Sequence, residues 1–225
     1  MKLIAEIIAC IIIGYALGSL SPSYLLGKRK GYDVRRDGSG NAGASNTFIL
    51  LGAKAFFLTT ILDILKAYAA FTICRVAFPQ LTAAGALGGT ACVIGHIYPV
   101  LLGFHGGKGL ASLGGVILGW SWKWFLLLLA AAFVIAFAAR YVCLVAPTMS
   151  VVFPACFYWQ TGDLASAAIL LICAAPIFLK HRENFVRIRE GTEMRTSFIW
   201  NKEGELKRTG HWNDTTEDQL ERRGR

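Results

Sequence analysis

Two glycine-rich polar stretches hold most of the residues in this chain that could do chemistry. The first reads Gly38-Ser39-Gly40-Asn41-Ala42-Gly43-Ala44-Ser45-Asn46 and the second Gly106-Gly107-Lys108-Gly109. Each lies before an apolar run, so each is expected to present free backbone N–H groups at the start of a helix. Such a start attracts anions, because unpaired donors and the positive end of the helix dipole point at it. In the first stretch Ser39 and Ser45 supply hydroxyls, Asn41 an amide, and Asn46 a cap for the helix that follows. Gly40 and Gly43, like Gly106, Gly107 and Gly109, let backbone approach an anion closely, and Lys108 adds a point charge. Either stretch alone could be a plain turn. Both on one side of a bilayer would suit a protein that handles phosphate groups at the membrane surface.

The second stretch is not a nucleotide-binding loop. That pattern needs a hydroxyl after the lysine and a strand before the loop, and here Gly109 follows Lys108. A third group is Lys180-His181-Arg182-Glu183-Asn184. On a helix, His181 and Asn184 share a face while Arg182 and Glu183 point elsewhere. The pair could position a hydroxyl or bind phosphate; a basic helix end anchored at the interface is the alternative. Asp63 and Lys66, three apart in an apolar run, are expected to pair structurally, since a lone charge there costs about 2.5–3.5 kcal/mol.

The elements that must carry these residues are membrane helices. The chain has 225 residues, of which 55% are hydrophobic, and a mean hydropathy of +0.50, far oilier than a soluble domain. Apolar runs at 3–20, 55–73, 83–102, 110–120, 124–139, 143–159 and 164–179 predict an all-α polytopic membrane protein with about seven transmembrane helices. The fourth run is short, and five or six spans is the competing reading. Lys28, Arg29, Lys30, Arg35, Arg36, Lys108, Arg140, Lys180, Arg182, Arg187, Arg189 and Arg195 then fall on one side, leaving Lys2, Arg75 and Lys123 opposite. The excess of Lys and Arg marks the cytoplasmic side, which places the N-terminus outside, the C-terminus in the cytoplasm and the polar stretches on the cytoplasmic face.

The net charge of +9 therefore reads as topology and attraction to membrane lipids, not nucleic-acid binding, for which no folded basic module is visible. The first run lacks a convincing signal-peptide pattern. Six scattered cysteines show no metal-ligand spacing, so they read as packing residues, with no metal or cofactor expected. Residues 1–196 are expected to form the membrane domain, and 197–225, charged and without apolar periodicity, a mobile cytoplasmic tail.

Three motifs together resemble the bacterial membrane glycerol-3-phosphate acyltransferases of the PlsY type. They are Tyr24-Leu25-Leu26-Gly27-Lys28 with the stretch from Gly38 to Asn46; Gly95-His96-Ile97-Tyr98-Pro99-Val100 with Gly106-Gly107-Lys108-Gly109-Leu110-Ala111; and His181-Arg182-Glu183-Asn184 through Gly191-Thr192-Glu193. The likeness spans about residues 10–195. It implies a seven-helix, multi-pass enzyme of the cell membrane that moves a fatty acyl group from acyl phosphate to glycerol 3-phosphate. The product would be lysophosphatidic acid, and contact with other enzymes of phospholipid synthesis would be expected. Lys108, His181 and Asn184 would fall on catalytic positions, with Ser39, Ser45, Arg140 and Cys143 on binding positions. Ser45 stands for a usual Thr, Ile49 for Arg, Cys143 for Ser and His105 for Lys. Because Ile49 removes a guanidinium from a phosphate site, a different phosphorylated acceptor is one alternative, and a non-enzymatic membrane protein of the same fold is another.

Overall fold

The computed structural model describes residues 1–210. They form a chain of helices joined by short turns. Helix α1 (Lys2–Gly18) runs into α2 (Pro22–Arg29), which starts where Ser21 accepts from Tyr24 N at 3.3 Å and Pro22 needs no helical donor. A polar loop leads to α3 (Ala44–Leu51), and Gly52, at φ 82°, breaks the chain before the 25-residue α4 (Ala53–Ala77). Next come α5 (Ala84–Ile97), a 3₁₀ turn (Val100–Leu102), the second glycine loop and α6 (Leu110–Trp120). Then follow α7 (Trp122–Ala139), a 3₁₀ turn (Val142–Leu144), α8 (Val145–Thr161), α9 (Leu164–Leu171) and α10 (Ala174–Arg189). A last 3₁₀ turn (Thr196–Ile199) and α11 (Lys202–Arg208) close the described chain.

Six of the resulting helical runs are long and apolar enough to cross a membrane: Lys2–Arg29, Ala53–Ala77, Ala84–Leu102, Trp122–Ala139, Val142–Thr161 and Leu164–Arg189. The run at 110–120 is helical as expected but has only 11 residues, about half of a hydrocarbon core at about 1.5 Å per residue. Its place is inside the protein: Ser112, Leu113, Val116 and Ile117 are buried. Large apolar side chains such as Ile4, Phe57, Ile61, Leu127 and Val134 stay exposed on the outer faces of α1, α4 and α7, as lipid-facing residues do.

Two expectations are corrected here. Asn46 does not cap the second membrane helix. It lies inside the separate short α3, whose N-cap is Gly43, because Gly52 ends that helix before the long apolar one begins. The stretch from 197, expected as a mobile tail, carries a 3₁₀ turn and a helix within its described part, to residue 210. The 3₁₀ turn and α11 bury Phe198 and Leu206, apolar side chains too few to show as a periodic pattern. Residues 211–225, the rest of the expected tail, lie outside the described residues.

Lipid offers no hydrophobic force between helices, so they associate through close packing of small residues. A Cβ on Gly14 of α1 would stand 2.1 Å from Gly88 O of α5, and one on Gly18 would stand 2.2 Å from Cys92 O. Gly115 gives α6 the same intimacy with α4, where a Cβ would meet Ile64 O at 2.1 Å. Backbones that touch in this way leave no tolerance for a larger residue.

The expected Asp63–Lys66 pair forms at 2.8 Å and gains a third member, His96 of α5. Lys66 Nζ lies within hydrogen-bond distance of four groups: Gly18 O at 3.1 Å, Leu20 O at 2.7 Å, His96 Nδ1 at 3.0 Å and Asp63 Oδ1 at 2.8 Å. Two of those acceptors are carbonyls at the end of α1, which have no partner of their own within the helix. Asp63, 1% exposed, balances the charge.

Lys66→Met should destabilise the protein by about 3–5 kcal/mol, since it strands a buried carboxylate and two helix-end carbonyls. Unfolding followed by tryptophan fluorescence in detergent measures this, and a midpoint equal to wild type would show the cluster to be dispensable.

Candidate active site

The first glycine stretch is shaped from within. Asn46 Nδ2 donates to Val34 O at 2.9 Å and Asp37 O at 3.0 Å, while its Oδ1 accepts from Ser39 N at 2.8 Å. The side chain is wholly buried, so one amide satisfies three backbone groups of the loop. Gly38 must be glycine for two reasons: its φ is +64°, and a Cβ there would lie 2.3 Å from Asn46 Oδ1. Asp33 braces the outer edge, accepting from Arg35 N at 3.1 Å and Nε at 2.9 Å. These bonds to Arg35 outweigh burial and hold the Asp33 carboxyl down at about 2. From below, Thr47 bonds Ser23 at 2.8 Å and the Gly43 carbonyl at 3.0 Å.

The second stretch folds back on the end of α5. Gly106 N donates to Ile97 O at 3.2 Å and Gly107 N to His96 O at 3.1 Å. The expected free donors at Gly106 and Gly107 are therefore corrected, as is the one at Ser39. They are spent on the last carbonyls of α5 and on Asn46, which would otherwise be left unpaired. The glycines are needed for closeness: a Cβ on Gly107 would stand 2.2 Å from His96 Nε2. Gly109, at φ +91°, turns the chain into α6, and the N–H groups open to an anion are those of the first turn of that helix. The two stretches meet, since a Cβ on Gly43 would lie in van der Waals contact, 3.8 Å, with Gly107 Cα.

The third group supplies the side chains. His181 and Asn184 do share a face of α10, and both are buried. His181 Nδ1 lies 2.7 Å from Ile177 O, which accepts its proton and leaves Nε2 as a lone-pair acceptor. Asn184 Oδ1 accepts from Lys108 Nζ at 2.5 Å, and its Nδ2 donates to Glu193 Oε1 at 2.7 Å. Glu193 Oε2 accepts from Arg187 Nε at 2.7 Å. Lys108, Asn184, Glu193 and Arg187 thus form one line across the end of α10. The Cys143 thiol and His181 both feel the charges of Lys108 and Glu193. Burial, then the nearby Arg187, lowers the Lys108 ammonium below the ordinary lysine value, with Glu193 opposing.

The structure thus gathers Lys108, His181, Asn184 and Cys143, and sets the Gly43 and Gly107 loops against each other. Asn41 is half-buried in the first loop, and Ser39, Gly40 and Ser45 lie on its exposed side. The Arg140 side chain is exposed; its backbone, at φ +65°, ends α7 and its carbonyl accepts from Thr196 N at 2.9 Å. Glu193 and His96, quoted in the motifs above without a role, and Arg187, counted there only as a basic residue, join the site. Their signal was weak, because they act through a turn at Gly191 (φ +75°) and a contact between distant helices. The arrangement offers an ammonium, helix-start donors and an imidazole acceptor around one polar surface, suited to holding a phosphate while a hydroxyl is aligned.

Comparisons with known proteins agree with that chemistry. The family model described as glycerol-3-phosphate acyltransferase matches residues 8–191. The glycerol-3-phosphate acyltransferase of Brucella melitensis biotype 2 (strain ATCC 23457) is 42% identical over 190 residues, covering 84% of this chain and 92% of its own. That of Geobacillus kaustophilus (strain HTA426) is 38% identical, covering 81% and 92%. Among solved structures, PlsY (YgiH), an integral membrane glycerol 3-phosphate acyltransferase, in its glycerol 3-phosphate form is 33% identical, with a TM-score of 0.78. It covers 86% of this chain and 96% of that one. Its lysophosphatidic acid form gives a TM-score of 0.75.

Asn46→Leu keeps the volume but removes both donors and the acceptor, so the loop should loosen at a cost of about 1–3 kcal/mol for each buried group left unpaired. Limited proteolysis should then cut between residues 34 and 46 faster than in wild type. An unchanged rate would mean that the loop holds its shape without Asn46.

Proposed function

The chain belongs to the glycerol-3-phosphate acyltransferase family, and from that membership and the site geometry we propose how it works and which way it faces. It is a multi-pass membrane acyltransferase that acylates glycerol 3-phosphate to lysophosphatidic acid. The donor in this reading is an acyl phosphate, already activated, so the protein has to align a hydroxyl and steady a leaving phosphate. Lys108 and the first-turn N–H groups of α6 take the phosphate charge. Asn184, fixed by Glu193, keeps the ammonium in place. His181 Nε2 accepts the hydrogen bond of the attacking glycerol hydroxyl, with Ile177 O holding the ring in the required tautomer. The hydroxyl oxygen attacks the acyl carbon, the acyl–phosphate bond breaks, and phosphate leaves with the electron pair and takes up the hydroxyl proton. The first-loop groups Ser39, Asn41 and Ser45 and the side chains of Arg140 and Cys143 complete the binding surface. The observation that carries this reading is the Lys108–Asn184 contact beside an imidazole acceptor on the same helix face.

The topology proposed with it has seven helices, the short α6 included, with the N-terminus outside and the C-terminus and site cytoplasmic. The one-sided Lys and Arg loops support it.

Purified protein in detergent, given acyl phosphate and glycerol 3-phosphate with products followed by mass spectrometry, tests the reaction. Lys108→Ala should lower kcat/KM by about 10²–10³, as removal of one oxyanion donor does, and near-normal turnover would remove Lys108 from the mechanism. The active lysine is the charged form, so a lowered pKa means that activity is lost as pH rises. The alkaline limb of kcat/KM should lie below the ordinary lysine value. Cysteine labelling in intact cells checks the topology: a probe at residue 2 should react from outside and one at residue 225 only after permeabilisation, and both ends on one side would exclude seven spans.

A further inference from the structure

The family model matches residues 8–191, and the segment beyond the Gly191–Glu193 turn grips the site. Arg208 of α11 donates from one guanidinium nitrogen to Gly191 O and from the other to Glu193 O, each at 2.5 Å. Those carbonyls belong to the turn that closes α10, in which Thr192 N and Glu193 N both return to Arg187 O. On the inner side of the same turn, the Glu193 carboxylate holds Asn184 and Arg187. The guanidinium is itself aimed. Glu205 Oε2 accepts from its Nε at 3.1 Å and from its second nitrogen at 2.6 Å, and Glu205 is tied in turn to Ser197 Oγ at 2.6 Å and Arg195 N at 3.1 Å.

The rest of the segment is moored to two other parts of the molecule. Thr196 N donates to Arg140 O at the end of α7. Phe198 packs edge-on against Phe48 of α3 at 5.6 Å, and the Trp200 ring stacks on Phe137 of α7 at 6.5 Å. A planar fork that meets two backbone carbonyls while a carboxylate fixes its plane is a geometry only arginine provides.

We propose that the 196–208 segment is a built-in clamp on the active site, with Arg208 a positioning residue that sets Glu193, and through it Asn184 and the Lys108 ammonium. The proposal rests on the acyl-transfer reading of that site. Without Arg208 the turn loses both outer bonds, the Glu193 carboxylate wanders, and the lysine spends less time where the phosphate charge develops.

The full chain in detergent tests this with Arg208→Ala, Arg208→Lys, Glu193→Gln, the Arg208→Ala/Glu193→Gln double variant, and Glu203→Gln on the exposed side of α11 as control. Arg208→Ala should lower kcat/KM about tenfold or more, chiefly in kcat, since displacing a catalytic group by a fraction of an ångström is enough. Arg208→Lys should recover part of the loss, and Glu203→Gln should match wild type. The double variant should be no worse than Glu193→Gln alone, because both act on one group. Backbone hydrogen exchange should rise in residues 191–195 of Arg208→Ala while α4, α5 and α6 keep their protection. Wild-type kinetics in Arg208→Ala, or losses that multiply in the double variant, overturn the clamp. If Arg208→Ala fails to fold, the comparison of Arg208→Lys with wild type decides instead, and kinetics and exchange equal to wild type then overturn it. Exchange is read without turnover, so a wild type that transfers no acyl group sinks the functional reading while the clamp is judged separately.

Discussion

One buried ammonium sets the geometry on which the rest depends. Lys66 lies where no water is available to replace a lost partner, so every donor it carries must be answered by protein. Four groups surround its three N–H bonds: the Gly18 and Leu20 carbonyls at the end of α1, Asp63 of α4 and His96 of α5. Three helices are thereby referred to a single point. The attraction alone would not justify the burial, because desolvating two charges costs as much as their pairing returns. What the cluster adds is uniqueness: any slip of α1 along α5 would leave a charge or a carbonyl unpaired.

That fixed point reaches the surface through His96. Its Nδ1 belongs to the cluster and its other nitrogen lies against Gly107. The carbonyls of His96 and Ile97 hold the N–H groups of Gly107 and Gly106. The second glycine loop is thus moulded on the end of α5, and Lys108 leaves it in a defined direction toward Asn184. Glycine is required there for contact with an imidazole and with the first loop, and less for backbone freedom. The electrostatics follow the same route, because a half-buried Lys108 acts through less water than a surface lysine and is stronger for it.

Much of this was legible beforehand. The apolar runs located the helices, because length and hydropathy are what a bilayer selects. The face shared by His181 and Asn184, and the Asp63–Lys66 pair, followed from helical spacing alone. The misses have a common cause. The fate of the Ser39, Gly106 and Gly107 donors, the burial of Asn46 in α3 and the role of Glu193 all depend on which distant carbonyl or amide lies opposite. Spacing along the chain carries no information about that. The segment after 196 read as a mobile tail because two buried apolar side chains and a network of Arg, Glu and Ser produce no periodic signal.

The placement of the site at helix ends is itself a consequence of the solvent. Within hydrocarbon every backbone group must be satisfied inside a helix, so lipid-exposed glycine loops can exist only at an interface. An acyl donor and its product are amphiphiles, with a phosphate that needs water or strong donors and a tail that needs lipid. They meet the protein at the same depth where its irregular backbone is allowed. In the proposed reaction the reacting carbonyl would lie at the junction of those two parts, next to the charge that Lys108 brings and beneath the helices that the buried cluster holds in register. On that reading, the same constraint that forbids polar loops deeper in the membrane delivers substrate and catalytic groups to one plane.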